Sequence, residues 1–193
     1  MNELIKNFQK NNYVVIDNYI SLEILKSHYE YFIDMYKENK LSIDENQVIG
    51  NLILRDDIVF DTLLSKMRPL ISKITQKELW PTYAFARLYR KGEKLKKHTD
   101  REACEYSVSI TLGCNNNNKI WPIFVGDKVK VKLKLGQGLL YKGHDLNHWR
   151  KKLKGDHYAQ VFLHYVDSNG PYKEWVFDKR SGLNSLDYEI NSL

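Results

Sequence analysis

The periodicity of this chain changes once, at Trp80, from helical to strand-like, and that switch limits the architectures open to it. Upstream, Ser21 reads as an N-cap, and Leu25, Tyr29, Phe32 and Tyr36 recur at helical spacing behind it, predicting a helix with one face on a sheet. Phe60, Leu63, Leu64 and Met67 predict a second helix, which Pro69 is expected to kink or to divide from Leu70–Ile74. A short helix over 2–10, a strand over Tyr13–Asp17 and a strand over 48–54, with Gly50 inside it, complete this half. Downstream come short β-rich runs at Tyr83–Tyr89, Ser107–Leu112, Ile120–Val125, Val129–Leu135, Leu139–Tyr141 and Tyr158–Val166. Turn material separates them: Lys91-Gly92, Asn115–Asn118, Gly126-Asp127, Gly136-Gln137-Gly138 and Gly155-Asp156. Helices first and regular short strands after predict an α+β chain whose helices buttress one sheet of a sandwich or barrel.

At 193 residues the expectation is a single domain: support over 1–79, a β core over 80–167 and a C-terminal extension over 168–193. The N-terminus lacks an apolar signal core and no apolar run approaches a membrane span, which predicts a cytoplasmic protein without a membrane partner. Cys104 and Cys114 lack zinc or redox spacing and read as packing residues. The balance of 30 basic against 24 acidic residues leaves +6, which would suit an anionic substrate or nucleic acid. However, Lys128, Lys130, Lys132 and Lys134 alternate with Val129, Val131 and Leu133, as on the solvated face of a strand.

The chemistry concentrates in R-L-Y-R-K-G-E-K-L-K-K-H-T-D, Arg87 to Asp100. In a strand, His98 and Asp100 point to one face, supplying an imidazole and a carboxylate to a common point. A second histidine would complete a set that leaves half of a metal's sphere open, the arrangement of non-haem iron(II) oxygenases. His148 is the preferred candidate and His144, four residues earlier, its rival. His28 reads as a boundary residue and His157 as exposed; His164 either lines a cavity or packs in the core.

The order H-T-D, S-V-S-I-T-L-G, G-Q-G-L-L-Y and a histidine on the next segment resembles the iron(II)- and 2-oxoglutarate-dependent dioxygenase superfamily, in its prolyl 4-hydroxylase-like branch. The resemblance covers residues 80–167, and N-Y-V-V-I-D-N-Y-I-S is similar to the start of such domains. It implies a double-stranded β-helix (jelly-roll) barrel, with iron(II) held by His98, Asp100 and His148, and 2-oxoglutarate and dioxygen as co-substrates. The implied activity is hydroxylation of a small-molecule or peptidyl substrate, prolyl among the options. Family members carry a basic residue about ten positions after the distal histidine, where this chain has Tyr158. Arg150 is the first replacement for gripping the keto acid's distal carboxylate and Arg87 the second. Tyr89 matches a co-substrate tyrosine of the family, and Ser107, Ser109 and Thr111 form a polar row that would face a wet cavity. The two-arginine pattern of nucleic-acid demethylases is not matched, since Lys154 and Gln160 stand at those offsets. Two other readings stay open: a non-catalytic β-barrel binding module with a degenerate metal site, and a cupin-like isomerase or hydrolase.

Overall fold

The computed structural model describes residues 1–44, 47–48, 50–114 and 120–180. Chain order runs α1 (Asn2–Asn11), β1 (Tyr13–Ile16), α2 (Leu22–Lys37), β2 (Ser42–Asp44), β3 (Asn51–Arg55), α3 (Ile58–Thr75), β4 (Leu79–Arg90), β5 (Leu95–His98), β6 (Tyr106–Cys114), β7 (Ile123–Val125), β8 (Val129–Val131), β9 (Gly138–Tyr141), β10 (His148–Arg150) and β11 (His157–Asp167). A kinked 3-10 segment, Lys173–Lys179, follows. Seven strands form the large sheet in the order β1-β9-β6-β11-β4-β3-β2, and four form the small one, β5-β10-β7-β8. Two facing antiparallel sheets with crossed-over strand order form a jelly roll, and the helices lie on the outer face of the large sheet.

Period-two alternation decides which residues reach which side. Ala84, Ala86 and Leu88 of β4, Val108, Ile110 and Leu112 of β6, and Ala159, Val161 and Leu163 of β11 join Phe32, Phe60, Leu64 and Ile71 in the helix-side core. Each of the larger side chains among them contributes about 1.5–3 kcal/mol through burial. The intervening residues Tyr83, Phe85, Arg87 and Tyr89, with Tyr158, Gln160, Phe162 and His164, are buried on the other side, between the sheets. Three neighbouring strands with apolar side chains on one face and polar or aromatic ones on the other commit the large sheet to a dry side and a functional side.

Several local expectations change. Helix α3 runs through Pro69 without a break; Ser65, whose carbonyl the ring displaces, and Pro69 itself are exposed, so the freed carbonyl is open to accept from solvent. In α2 the Ser21 cap holds, with Ile24 N–H donating to its hydroxyl at 3.3 Å, and Leu25 and Phe32 are buried, but Tyr36 is 43% exposed and leaves the packed stripe. Strand β3 begins only after Gly50, whose φ of +80° turns the chain out of β2, a strand the periodicity did not suggest. The run over Val129–Leu135 is a strand only to Val131, although its lysines are exposed as expected. Asn115–Asn118 and residues 181–193 lie outside the described residues. No helix among the described residues is long and apolar enough to cross a membrane.

Candidate metal centre

His98 closes β5 and His148 opens β10, and antiparallel pairing sets the two residues directly opposite each other. Asp100 lies beyond the end of β5, not on it, so strand alternation does not deliver its carboxylate. A backbone contact does: Asp100 N–H donates to Gly143 O at 2.8 Å. A methyl group on Gly143 would stand 2.6 Å from Asp100 Oδ2 and 2.6 Å from Cys104 O, so only glycine lets the two segments approach this closely.

Asp100 Oδ1 lies 3.3 Å from His98 Nε2 and 3.4 Å from His148 Nε2, and one ligand atom from each of the three residues falls within 4.8 Å of the others. Backbone carbonyls orient both rings. His98 Nδ1 lies 2.8 Å from Lys96 O and His148 Nδ1 3.0 Å from Leu146 O; a carbonyl only accepts, so each Nδ1 carries a hydrogen and each ring aims Nε2 at the common point, where loss of its proton would free a lone pair for a metal. Burial raises the Asp100 pKa, but hydrogen bonds from His148 and His98, with the charge of His148, outweigh it and hold the carboxyl well below the usual range. For His98 burial acts downward, but the Asp100 and Lys96 bonds win and the imidazole titrates above its ordinary value. The donor set is two nitrogens and one oxygen, the chemistry of a non-haem iron(II) site. Gln47, from the turn after β2, reaches the same point: its Nε2 lies 3.0 Å from His98 Nε2. His144 stays out of the cluster and accepts from or donates to Tyr172 Oη at 3.1 Å.

No protein-family model matches the chain. No curated protein is recognisably similar to it in sequence. Solved structures are similar in fold. A prolyl-4-hydroxylase from Pseudomonas putida superposes with a TM-score of 0.68 at 12% identity, over 86% of this chain and 97% of that one. The fold is that of the prolyl 4-hydroxylase-like 2-oxoglutarate oxygenases. The non-heme alpha ketoglutarate dependent epimerase SnoN from nogalamycin biosynthesis gives 0.74 at 10%, over 95% and 90%. HygX from Streptomyces hygroscopicus, solved with nickel and 2-oxoglutarate, gives 0.67 at 11%, over 88% of each chain.

In this oxygenase fold the space between the sheets holds a cavity of about 240 Å³ that opens beside His98, Asp100 and His148. Its wall is aromatic: Phe85 stacks on Phe162 at 4.8 Å, and Tyr83 lies 4.6 Å from His164. The two candidate arginines differ sharply. Arg87 is buried and already neutralised, with Nη2 2.5 Å from Asp44 Oδ2 and Nη1 donating to Gln47 and to Tyr89 Oη. Arg150 is equally buried and makes no ion pair among the described residues. It donates Nη1 to Trp121 O, leaves Nε without an acceptor, and sits 4.7 Å over the Trp121 ring and 5.7 Å over Tyr158. The guanidinium thus arrives from β10 beside Tyr158. Burial lowers its pKa, and the hydroxyls of Tyr158, Tyr89 and Tyr141 resist that shift.

The polar row, expected to face a wet cavity, is buried and its hydroxyls are taken by side chains of β11. Ser107 Oγ lies 2.8 Å from His164 Nδ1, Ser109 Oγ accepts from Gln160, and Thr111 bonds Tyr158 Oη. Ser107, Ser109 and Thr111 are not among the cavity-lining residues, and Arg150 lies behind the lining, next to Tyr89 and Tyr141, which do line it. His157 is not on the open surface; it is half-buried against α2, bonded to Tyr29 Oη at 2.7 Å. Periodicity did not single out Asp44, Gln47, Arg55, Arg101, Tyr141 or Gly143. Asp44 and Gln47 show no signal at all, while Gly143 immediately before His144 was a visible cue for close backbone approach.

His164 yields a pH prediction. Complete burial depresses its pKa from 6.5 to about 3; the Asp100 charge works upward, and Arg55, Arg101 and His148 reinforce the fall. The folded protein keeps this ring neutral while the unfolded chain protonates below pH 6.5, so its contribution is full above 6.5 and is lost as pH falls toward 3. Urea unfolding should show a stability loss of up to about 1.4 kcal/mol per pH unit in that window. His164→Gln should remove this component, and identical pH slopes for the two proteins would refute the assignment.

Proposed function

We propose that this chain is an iron(II)- and 2-oxoglutarate-dependent oxygenase that hydroxylates a small-molecule or peptidyl substrate. The observation that carries the reading is the convergence of His98, Asp100 and His148 at the mouth of a buried cavity, with both imidazoles held by backbone carbonyls so that Nε2 faces the common point. Bound iron(II) would supply a centre at which the keto acid and dioxygen meet. His98 and His148 would give Nε2 and the ionised Asp100 would give Oδ1. Gln47 would yield its contact with His98 Nε2 and keep its hold on Arg87.

Arg150 suits the distal carboxylate of 2-oxoglutarate better than Arg87. A buried guanidinium without a carboxylate carries an uncompensated desolvation cost of several kcal/mol, and two parallel N–H donors match a carboxylate. Arg87 has spent its charge on Asp44. Tyr89 and Tyr141 line the cavity and also act on Arg150, so they would flank the keto acid between the metal ligands and the guanidinium. The wall of Tyr83, Phe85 and Phe162 would exclude water from the reacting side. No side-chain base is required.

Calorimetric titration of 2-oxoglutarate with and without manganese(II), followed by oxygen consumption coupled to succinate release, tests the reading. Uptake is expected only with metal. Uptake that ignores the metal supports a binding module instead, and metal-dependent uptake without oxygen consumption supports the cupin-like alternative.

A further inference from the structure

Arg55, the last residue of β3, lines the same cavity on its open side. Its guanidinium carbon stands 4.7 Å over the Tyr83 ring and 5.0 Å over Phe85, so two aromatic faces hold the head group in place. No carboxylate among the described residues pairs with it, and the nearby acids are committed elsewhere. Asp44 takes Arg87, Asp178 takes Arg101 at 2.6 Å, and Asp56 and Asp61 both take Arg180. Asp57 caps α3 and accepts Tyr31 Oη at 2.6 Å. Of the three arginines that line the cavity, Arg87 and Arg101 are neutralised and Arg55 alone keeps a spare charge.

We infer that the substrate is a small molecule carrying an oxyanion, carboxylate or phosphate, which Arg55 grips at the cavity mouth while the rest of the molecule reaches toward the metal ligands. This deepens the oxygenase reading and rests on it. Size argues for a small molecule over a peptide. The cavity of about 240 Å³ must also take 2-oxoglutarate. An exposed cation with no carboxylate among the described residues, beside the reacting site, attracts an oxyanion from solution, and its charge-assisted bonds are directional.

Three probes that share a phenyl ring separate the possibilities: phenylacetate, phenyl phosphate and the neutral phenylacetamide. They are titrated calorimetrically into protein loaded with manganese(II) and 2-oxoglutarate, so that the metal and Arg150 are taken. At least one anion is expected to bind about tenfold or more tightly than the amide, and which anion it is distinguishes carboxylate from phosphate. Arg55→Gln should abolish that preference while leaving amide binding and 2-oxoglutarate uptake unchanged. Arg55→Lys, which keeps stem and charge, should retain the preference, and it stands in for the test should Arg55→Gln fail to fold. Equal binding of anions and amide to the unaltered protein, no anion binding, an undiminished preference in Arg55→Gln, or its loss in Arg55→Lys would each overturn the inference. Failure of 2-oxoglutarate uptake by the unaltered protein would sink the oxygenase reading instead. The anion-to-amide ratio measured on the metal-free protein and on Arg55→Gln would still decide the role of Arg55.

Discussion

His98→Ala and Asp100→Ala are each expected to abolish metal-dependent uptake of 2-oxoglutarate, and with it succinate release in the absence of a substrate. Removing a hydrogen-bonding group behind a metal ligand commonly costs 10–100-fold in affinity, so loss of one of three ligands should cost more than about a hundredfold. The fold should survive both changes. His98 is partly exposed at the end of a four-residue strand, and the Asp100 side chain is held mainly by the two imidazoles that would share a metal with it. Thermal unfolding of the metal-free variants checks this point. His144→Ala serves as the control, because its ring is tied to Tyr172 and should leave uptake intact. Undiminished turnover in either ligand variant rejects the iron assignment.

Arg150→Met should move two measurements in opposite directions. The guanidinium is buried, unpaired with any described carboxylate, and compensated only by Trp121 O, the Trp121 ring and nearby tyrosine hydroxyls. An unbranched apolar side chain of similar length removes the desolvation cost, and replacing buried charges with apolar groups commonly stabilises a fold by about 1–4 kcal/mol. The ligand-free variant should therefore unfold at a higher temperature. Affinity for 2-oxoglutarate should fall by at least about a hundredfold, because the distal carboxylate would be left buried without a cation. A strictly structural Arg150 would give lower stability with unchanged affinity. Arg87→Met discriminates further: it takes the guanidinium away from the buried Asp44 carboxylate, so it should destabilise the fold, by roughly 3–5 kcal/mol.

These predictions depend on parts of the molecule that were unequally legible. The His98, Asp100 and His148 set was readable because H-T-D is contiguous and the β-rich runs around it occur in a recognisable order. The reason first given for the Asp100 position was nevertheless wrong in detail. Strand alternation does not carry it; a hydrogen bond to Gly143, 43 residues away along the chain, does. The choice between Arg150 and Arg87 was not readable, because it turns on whether an acidic partner lies nearby. Asp44 precedes Arg87 by 43 residues with a helix between them, and nothing in their spacing links the two. The polar row Ser107, Ser109 and Thr111 is buried and does not line the cavity; its hydroxyls are satisfied by Asp100, His164, Gln160 and Tyr158, which belong to other strands or loops.

What the amino-acid order determines by itself is local: which stretches alternate with period two, which carry a helical stripe, where the turns fall and which face of β4, β6 and β11 is apolar. Those properties depend on side chains only a few residues apart, whose relative directions backbone geometry sets. What only the tertiary structure decides is charge balance and closeness of approach. It neutralises Arg87 and Arg101, leaves Arg150 and Arg55 without carboxylates among the described residues, and presses Gly143 against Asp100. Electrostatic energy and steric contact depend on distance through space, and antiparallel pairing brings together residues that the chain keeps dozens of positions apart.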